Sequence, residues 1–257
     1  MSSRFTFTKN FLSASLETSF QTPVMFSARH RRQLGTNALL AVLPVIGAAC
    51  AGLLIAGAPS WSLTELQVVA RVHDAQNPVL DVVASMINAV FGAGAALVAL
   101  IVFAWVLLVT RSWRVVLRVG IVLAVPWSCA DVLKLVVRRP RPDSSLLQPL
   151  IVPDPATYSY PSGHTAFAAA LCCALLLVVA RRSWGRWGIA VGLLVVITTA
   201  WSRVYLGVHY PTDVLASALL VPVVAVATTR MTAAWSFLNP NVESPETGEQ
   251  LGQQGGR

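Results

Sequence analysis

Six stretches of this chain are apolar for about as long as a helix needs to cross a ~30 Å hydrocarbon layer. They run over Asn37–Gly57, Phe91–Thr110, Val115–Val137, Thr165–Ala180, Gly188–Leu206 and Thr212–Thr229. The fourth is short and is expected to extend at both ends. Between the first two, the pattern changes rather than ending. Ser62 and Glu65 fit a capping box, with Leu63, Leu66, Val69 and Val72 following at helical spacing. After Pro78, the residues Val79, Val82, Val83, Met86, Ile87 and Val90 form an apolar stripe, with Asp81, Ser85 and Asn88 opposite. Both stretches predict short helices lying on the outer face of a bundle. The pattern therefore predicts an all-α, polytopic membrane helix bundle with six transmembrane helices and short outer-face helices.

The remaining segments are punctuation. Residues 138–160 hold five prolines and cannot form a regular helix. Residues 1–36 read as a mobile cytoplasmic segment, 37–230 as the six-span domain, and 231–257 as a disordered polar tail. No cleavable leader is expected, because the first apolar run begins after more than thirty residues and is long enough to span.

Composition agrees with this class. The chain is 55% hydrophobic and only 12% charged, with a mean hydropathy of +0.65, whereas a soluble domain carries about a quarter charged residues. The net charge of +8 would suit nucleic acid, but its distribution argues against that partner. With the N-terminus inside, 13 of the 19 basic residues fall on cytoplasmic segments and six fall outside: Arg71, Lys134, Arg138, Arg139, Arg141 and Arg203. That is the positive-inside pattern of a multi-pass plasma-membrane protein with both termini cytoplasmic. Cys50, Cys129, Cys172 and Cys173 all lie within the spans and read as buried apolar thiols, not as disulfides or metal ligands.

Ionisable residues near a membrane span are costly unless a polar cavity receives them. Three stretches concentrate them: "KLVVRRPRP" from Lys134, "PSGH" from Pro161, and "SRVYLGVHYPTD" from Ser202. Alternating spans bring all three to one membrane face. Lys134 by itself could simply complement a helix C-terminus, yet the chain has 17 arginines and two lysines, so a lysine here is unusual. Lys134, Arg141 and Arg203 could surround one anion, the guanidinium forks matching phosphate oxygens. Ser162 could be an ordinary N-cap; Gly163 equally lets a phosphate approach a helix N-terminus, with His164 placed to protonate a leaving oxygen. Asp213 could be an ordinary helix-start acid, or it could fix the tautomer of His209 four residues earlier and leave the other nitrogen to attack.

The pattern Lys134-x6-Arg141-Pro142, Pro161-Ser162-Gly163-His164 and Ser202-Arg203-x5-His209-x3-Asp213 resembles the type 2 phosphatidic acid phosphatase superfamily. That superfamily also holds bacterial lipid pyrophosphatases, glucose-6-phosphatase and vanadium haloperoxidases. All eleven motif positions match, and the resemblance covers residues 37–230. It implies a metal-independent lipid phosphatase without a cofactor. In that scheme His209 is the nucleophile, Asp213 orients it, and His164 serves as acid and then base. Lys134, Arg141, Ser162, Gly163 and Arg203 hold the phosphate. Arg138 and Arg139 read as extra cations and Ser202 as structural. Phosphatidate, phosphatidylglycerophosphate and polyprenyl phosphates or diphosphates all present a suitable head group. A phosphate-binding transporter or scramblase would need the cations but not the His164, His209 and Asp213 set. A haloperoxidase would be expected to be soluble.

Overall fold

The computed structural model describes residues 28–92, 94–179 and 185–233. Contacts divide the chain into Met1–Thr36 and Asn37–Arg257, and the account below concerns the second unit. Most of the two expected mobile ends lies outside the described residues.

Among the described residues the regular structure is helical. The helices are α1 (Ala28–Ala56), α2 (Pro59–His73), α3 (Pro78–Phe91), α4 (Ala95–Thr110), α5 (Trp113–Val137), α6 (Gly163–Val179), α7 (Gly185–Tyr205) and α8 (Pro211–Ala233). α1, α5, α7 and α8 are each long and apolar enough to cross a membrane. α3 and α4 together would make a fifth span, bent by 67° at the break between them, and α6 is apolar but only 17 residues long.

The interior is built around α6. Its sequence "TAFAAAL" lets neighbouring backbones come close, since small side chains are what membrane helices use to pack. Thr165 through Leu171 are all buried, and α6 packs against α5, α7 and α8. Phe167, the one aromatic residue of that stretch, meets Trp127 of α5 edge-on, with ring centroids 5.2 Å apart. α1 leans on the bundle through Val45, Ala48 and Ala49, against Leu133, Leu220 and Val224. Large apolar residues such as Leu54, Leu108, Leu135, Ile197 and Leu219 face outward, as they should where the solvent is lipid.

Two expectations for the segment after α1 are corrected. α2 begins three residues before Ser62, at Pro59, so Ser62 and Glu65 stand inside the helix and cap nothing. Their side chains instead meet Arg139. The stripe on α3 also does not cover the bundle. Val79 and Met86 are 72% and 62% exposed, while Asp81 and Asn88 turn inward to bond Tyr205 and Arg203 of α7. Periodicity reveals a stripe but not which way it faces, and beside a membrane the apolar side can be the outer one. Cys50 departs similarly, being exposed, whereas Cys129, Cys172 and Cys173 are partly buried and unpaired.

Candidate active site

The C-terminal ends of α5 and α7 and the N-terminal ends of α6 and α8 meet at one end of the bundle. A cavity of about 250 Å³ opens there, lined by Lys134, Arg141, Gly163, His164, Arg203 and His209, together with Asp131, Trp127, Phe91 and Gly92. Residues from three distant stretches thus share one wall, as their spacing predicts.

Local geometry explains how each arrives. α5 ends because Arg138 takes the left-handed conformation, φ 52°, with its amide on the Lys134 carbonyl. The chain turns there, so Arg138 leaves the site and Arg139 enters the interior. Pro140 and Pro142 hold the following segment extended, and Arg141 reaches back across the cavity mouth. Its guanidinium donates to the Thr157 carbonyl at 2.7 Å and the Val208 carbonyl at 2.5 Å. α7 ends at Tyr205, and Gly207, φ +71°, lets the chain double back on itself. Val208 then donates its amide to the Arg203 carbonyl at 3.2 Å, which sets His209 beside Arg203.

The two histidines differ in environment. His209 is buried, and its Nε2 lies 3.2 Å from Arg141 Nη1. A guanidinium can only donate, so Nε2 is the accepting nitrogen and Nδ1 carries the hydrogen. Nδ1 faces Asp213 Oδ2 at 3.5 Å and Ser159 Oγ at 3.4 Å, and the Ser159 hydroxyl itself donates to Asp213 Oδ2. Burial first, and then the charges of Arg141, Lys134 and Arg203, hold His209 well below the ordinary imidazole range. Its accepting nitrogen thus lies against Arg141, and both residues line the cavity. Burial likewise lowers Arg141.

His164 stands in the first turn of α6, where the first helical bond runs from the Ala166 amide to the Ser162 carbonyl. The amides of Gly163, His164 and Thr165 therefore sit at the open helix end. Among the described residues, His164 Nε2 and Arg203 Nη2 are both buried without a hydrogen-bond partner. Orphaned polar atoms on a cavity wall call for a ligand that supplies both donors and acceptors. Arg203 is otherwise fixed, Nη1 donating to Asn88 Oδ1 at 2.7 Å. A Cβ at Gly163 would project between Lys134 Nζ and Asp131 Oδ1, at 3.7 and 3.8 Å.

Two expected site residues lie off the wall. Asp213 is fully buried behind His209. Ser162 is also fully buried, its hydroxyl accepting from Thr165 and its amide donating to the Asp213 carbonyl at 3.1 Å. It ties α6 to α8 instead of facing the cavity. Ser202 is buried and donates to the Thr199 carbonyl at 2.8 Å. Among the described residues, no three His, Cys, Asp or Glu side chains stand close enough to hold a metal ion.

Sequence reasoning passes over Asn88, Gly92, Ser159, Glu65 and the true place of Arg139. Only the last two carry a legible signal: a charge among apolar residues requires an opposite charge, and Arg139 and Glu65 answer one another.

Residues 113–237 match the PAP2 superfamily. An undecaprenyl-diphosphatase of Sulfolobus acidocaldarius is 34% identical over 134 residues, which are 49% of this chain and 56% of that protein. The undecaprenyl-diphosphatase BcrC of Bacillus subtilis is 31% identical over 148 residues, 58% of this chain and 72% of that protein. The chain thus spans little more than half the length of the Sulfolobus relative and nearly three quarters of the Bacillus one. The crystal structure of a transmembrane PAP2-type phosphatidylglycerolphosphate phosphatase from Bacillus subtilis has the same fold. It superposes with a TM-score of 0.61 at 20% identity, over 72% of this chain and 93% of that one. The helices, the cavity and these matches agree: the chain is a membrane protein of the PAP2 superfamily.

Proposed function

We propose that this protein is a membrane phosphatase that hydrolyses a lipid phosphate or diphosphate through a phosphohistidine. One observation carries the reading: buried His209, its accepting Nε2 against Arg141, shares the wall of one cavity with Lys134, Arg141 and Arg203. Three cations and a helix N-terminus supply the charge neutralisation that a metal ion gives elsewhere. A phosphoryl group held there meets Nε2. The N–P bond forms as the P–O bond to the leaving group breaks, and His164 delivers the proton that the leaving oxygen takes up. Water then attacks phosphorus, gives its proton to His164, and the N–P bond breaks. Gly163 and the α6 amides hold oxygens, while Ser162 keeps the start of α6 against α8.

The names of the two relatives favour a polyprenyl diphosphate over a glycerophospholipid. In the full reading α1, α4, α5, α6, α7 and α8 are the six spans of a plasma-membrane protein. Both termini are then cytoplasmic and the cavity opens on the extracytoplasmic side.

Purified protein in detergent should release inorganic phosphate from undecaprenyl diphosphate faster than from phosphatidylglycerophosphate or phosphatidate. Turnover should survive EDTA, be inhibited by vanadate and disappear in His209→Ala. Lipid binding without phosphate release would leave a carrier of phosphate head groups in its place. Full loss in EDTA with rescue by magnesium would overturn the metal-independent chemistry.

A further inference from the structure

Arg139 has no part in the cavity, yet with Arg203 it is one of two fully buried arginines among the described residues. Its Nη1 donates to Asp213 Oδ1 and to Thr212 Oγ1, each at 2.8 Å. Its Nη2 donates to Glu65 Oε2 at 2.7 Å and to Ser62 Oγ at 3.1 Å. Cζ stands 4.0 Å over the ring of Tyr210, the neighbour of His209. The Arg139 carbonyl accepts from the Ser159 amide at 2.8 Å, and Ser159 is the residue whose hydroxyl reaches Asp213 and His209. Glu65 completes the joint from α2, accepting from the Thr212 amide and hydroxyl, both at 2.8 Å.

Burying an ion pair costs several kcal/mol per charge in desolvation, so a simple fastening of α2 to α8 would be better served by apolar side chains. What the triad does achieve is division of labour on one carboxylate. Asp213 Oδ1 belongs to Arg139. Oδ2 receives the Tyr210 amide at 2.9 Å, the Ser159 hydroxyl and the Nδ1 side of His209. The charges in line, Glu65 negative, Arg139 positive and Asp213 negative, sum to one negative charge behind the imidazole. A phosphorylated imidazole carries one positive charge. Without Glu65, Arg139 would cancel Asp213 and that balance would be lost.

We propose that Arg139 and Glu65 are positioning residues of the phosphatase reaction: Arg139 orients the Asp213 carboxylate toward His209, and Glu65 offsets the Arg139 charge so that one net negative charge remains behind the imidazole. The inference rests on the phosphohistidine reading above, and partners of this kind, one contact removed from the reacting group, are worth about 10- to 100-fold in activity in metal sites.

The charged and titratable groups around His209 are Lys134 and Asp131 of α5, Arg141, His164 of α6, Arg203 of α7, and Asp213 of α8, with Arg139 and Glu65 behind it. Glu65→Gln changes only the last of these while keeping the shape. Arg139 then neutralises Asp213 more fully, the imidazolium form of His209 loses support, and its protonation moves to lower pH. The expected result is a kcat lowered about tenfold or more with KM within twofold of wild type, and an acid limb of kcat/KM displaced to lower pH. Because Arg139→Met alone leaves two buried carboxylates without their cation and so endangers folding, the companions are Arg139→Lys and the charge-balanced pair Glu65→Gln with Arg139→Met. The lysine variant should recover part of the kcat that the charge-balanced pair loses.

Each variant is compared per monodisperse folded molecule, with vanadate inhibition reporting an intact cavity. A structural fastening predicts less folded protein with unchanged kcat and pH profile, and that result would overturn the inference. Wild type that hydrolyses no lipid phosphate would overturn the phosphatase reading first, and the positioning role with it. Active wild type and an inactive His209→Ala, beside an unaltered Glu65→Gln, would remove the positioning role alone.

Discussion

Arg203 shows how much of this site depends on the shape of a side chain and not on its charge. One arm of the guanidinium is held by Asn88, and the other is left toward the cavity. Lysine would preserve the attraction but has no planar fork to satisfy Asn88 and a phosphoryl oxygen together. Arg203→Lys should therefore lose about 10²-fold in kcat/KM, the cost of a misplaced reacting group, measured as phosphate release; wild-type turnover would make Arg203 a general charge. Asp213 carries a different expectation. Read along the chain it is an isosteric target, where Asp213→Asn should cost kcat about 10²–10⁴-fold and leave folding almost untouched. The structure changes the second half, because Asp213 is 0% exposed and paired with Arg139. Removing one charge of a buried pair is destabilising, and with Glu65 still opposing Arg139 the loss should be roughly 3 kcal/mol. Thermal unfolding in detergent beside kcat measures both effects, and unchanged stability would show that Glu65 alone satisfies Arg139.

The break between α3 and α4 does at the element scale what no single functional side chain does. α3 turns its polar face inward to hold Arg203 and Tyr205, then ends at Phe91, and Gly92 passes directly against His164. A Cβ there would stand 2.6 Å from His164 Nε2 and 2.5 Å from the Asn88 carbonyl oxygen, too close for either. Since one neighbour is backbone, relief must come from moving the imidazole or the end of α3. Gly92→Ala should leave insertion intact but lower kcat about 10²-fold through displacement of His164; near-normal turnover in the folded variant would show that the turn yields without disturbing the histidine. The glycine is visible in the sequence, but nothing near it along the chain announces a histidine more than seventy residues away.

For the molecule as a whole, helix direction decides where the chemistry is exposed. The ends that form the cavity belong to α5, α6, α7 and α8, and the 3-10 turn Ser144–Leu146 lies in the loop between α5 and α6. Ser145 is exposed there. If the 13-to-6 division of basic residues sets orientation, Ser145→Cys should react with a membrane-impermeant maleimide in intact cells. Reaction only after lysis would place the cavity on the cytoplasmic side. The native cysteines lie within helices α1, α5 and α6, away from that loop, so a cysteine-free background is a modest change.

By itself the sequence determined what depends on local order. Runs of about 20 apolar residues read as helices, because a helix satisfies its backbone groups within the segment where lipid offers them no partner. Lys134, Arg141, Gly163, His164, Arg203 and His209 were legible as one site because each stands at a helix end or in the adjoining turn, and alternation of direction carries those ends to one side. The facing of α2 and α3, and the partners of Arg139, were decided only by tertiary structure. An amphipathic stripe is symmetric in the sequence: the same period serves a helix packed inward in water and one turned outward to lipid. Arg138 and Arg139 are equivalent as letters, and only the left-handed turn at Arg138 sends one outward and the other inward to Glu65 and Asp213. Which charge is buried, and against what, is a property of long-range packing: desolvation makes a buried Arg139 costly unless its guanidinium meets opposite charge, which Glu65 and Asp213 supply.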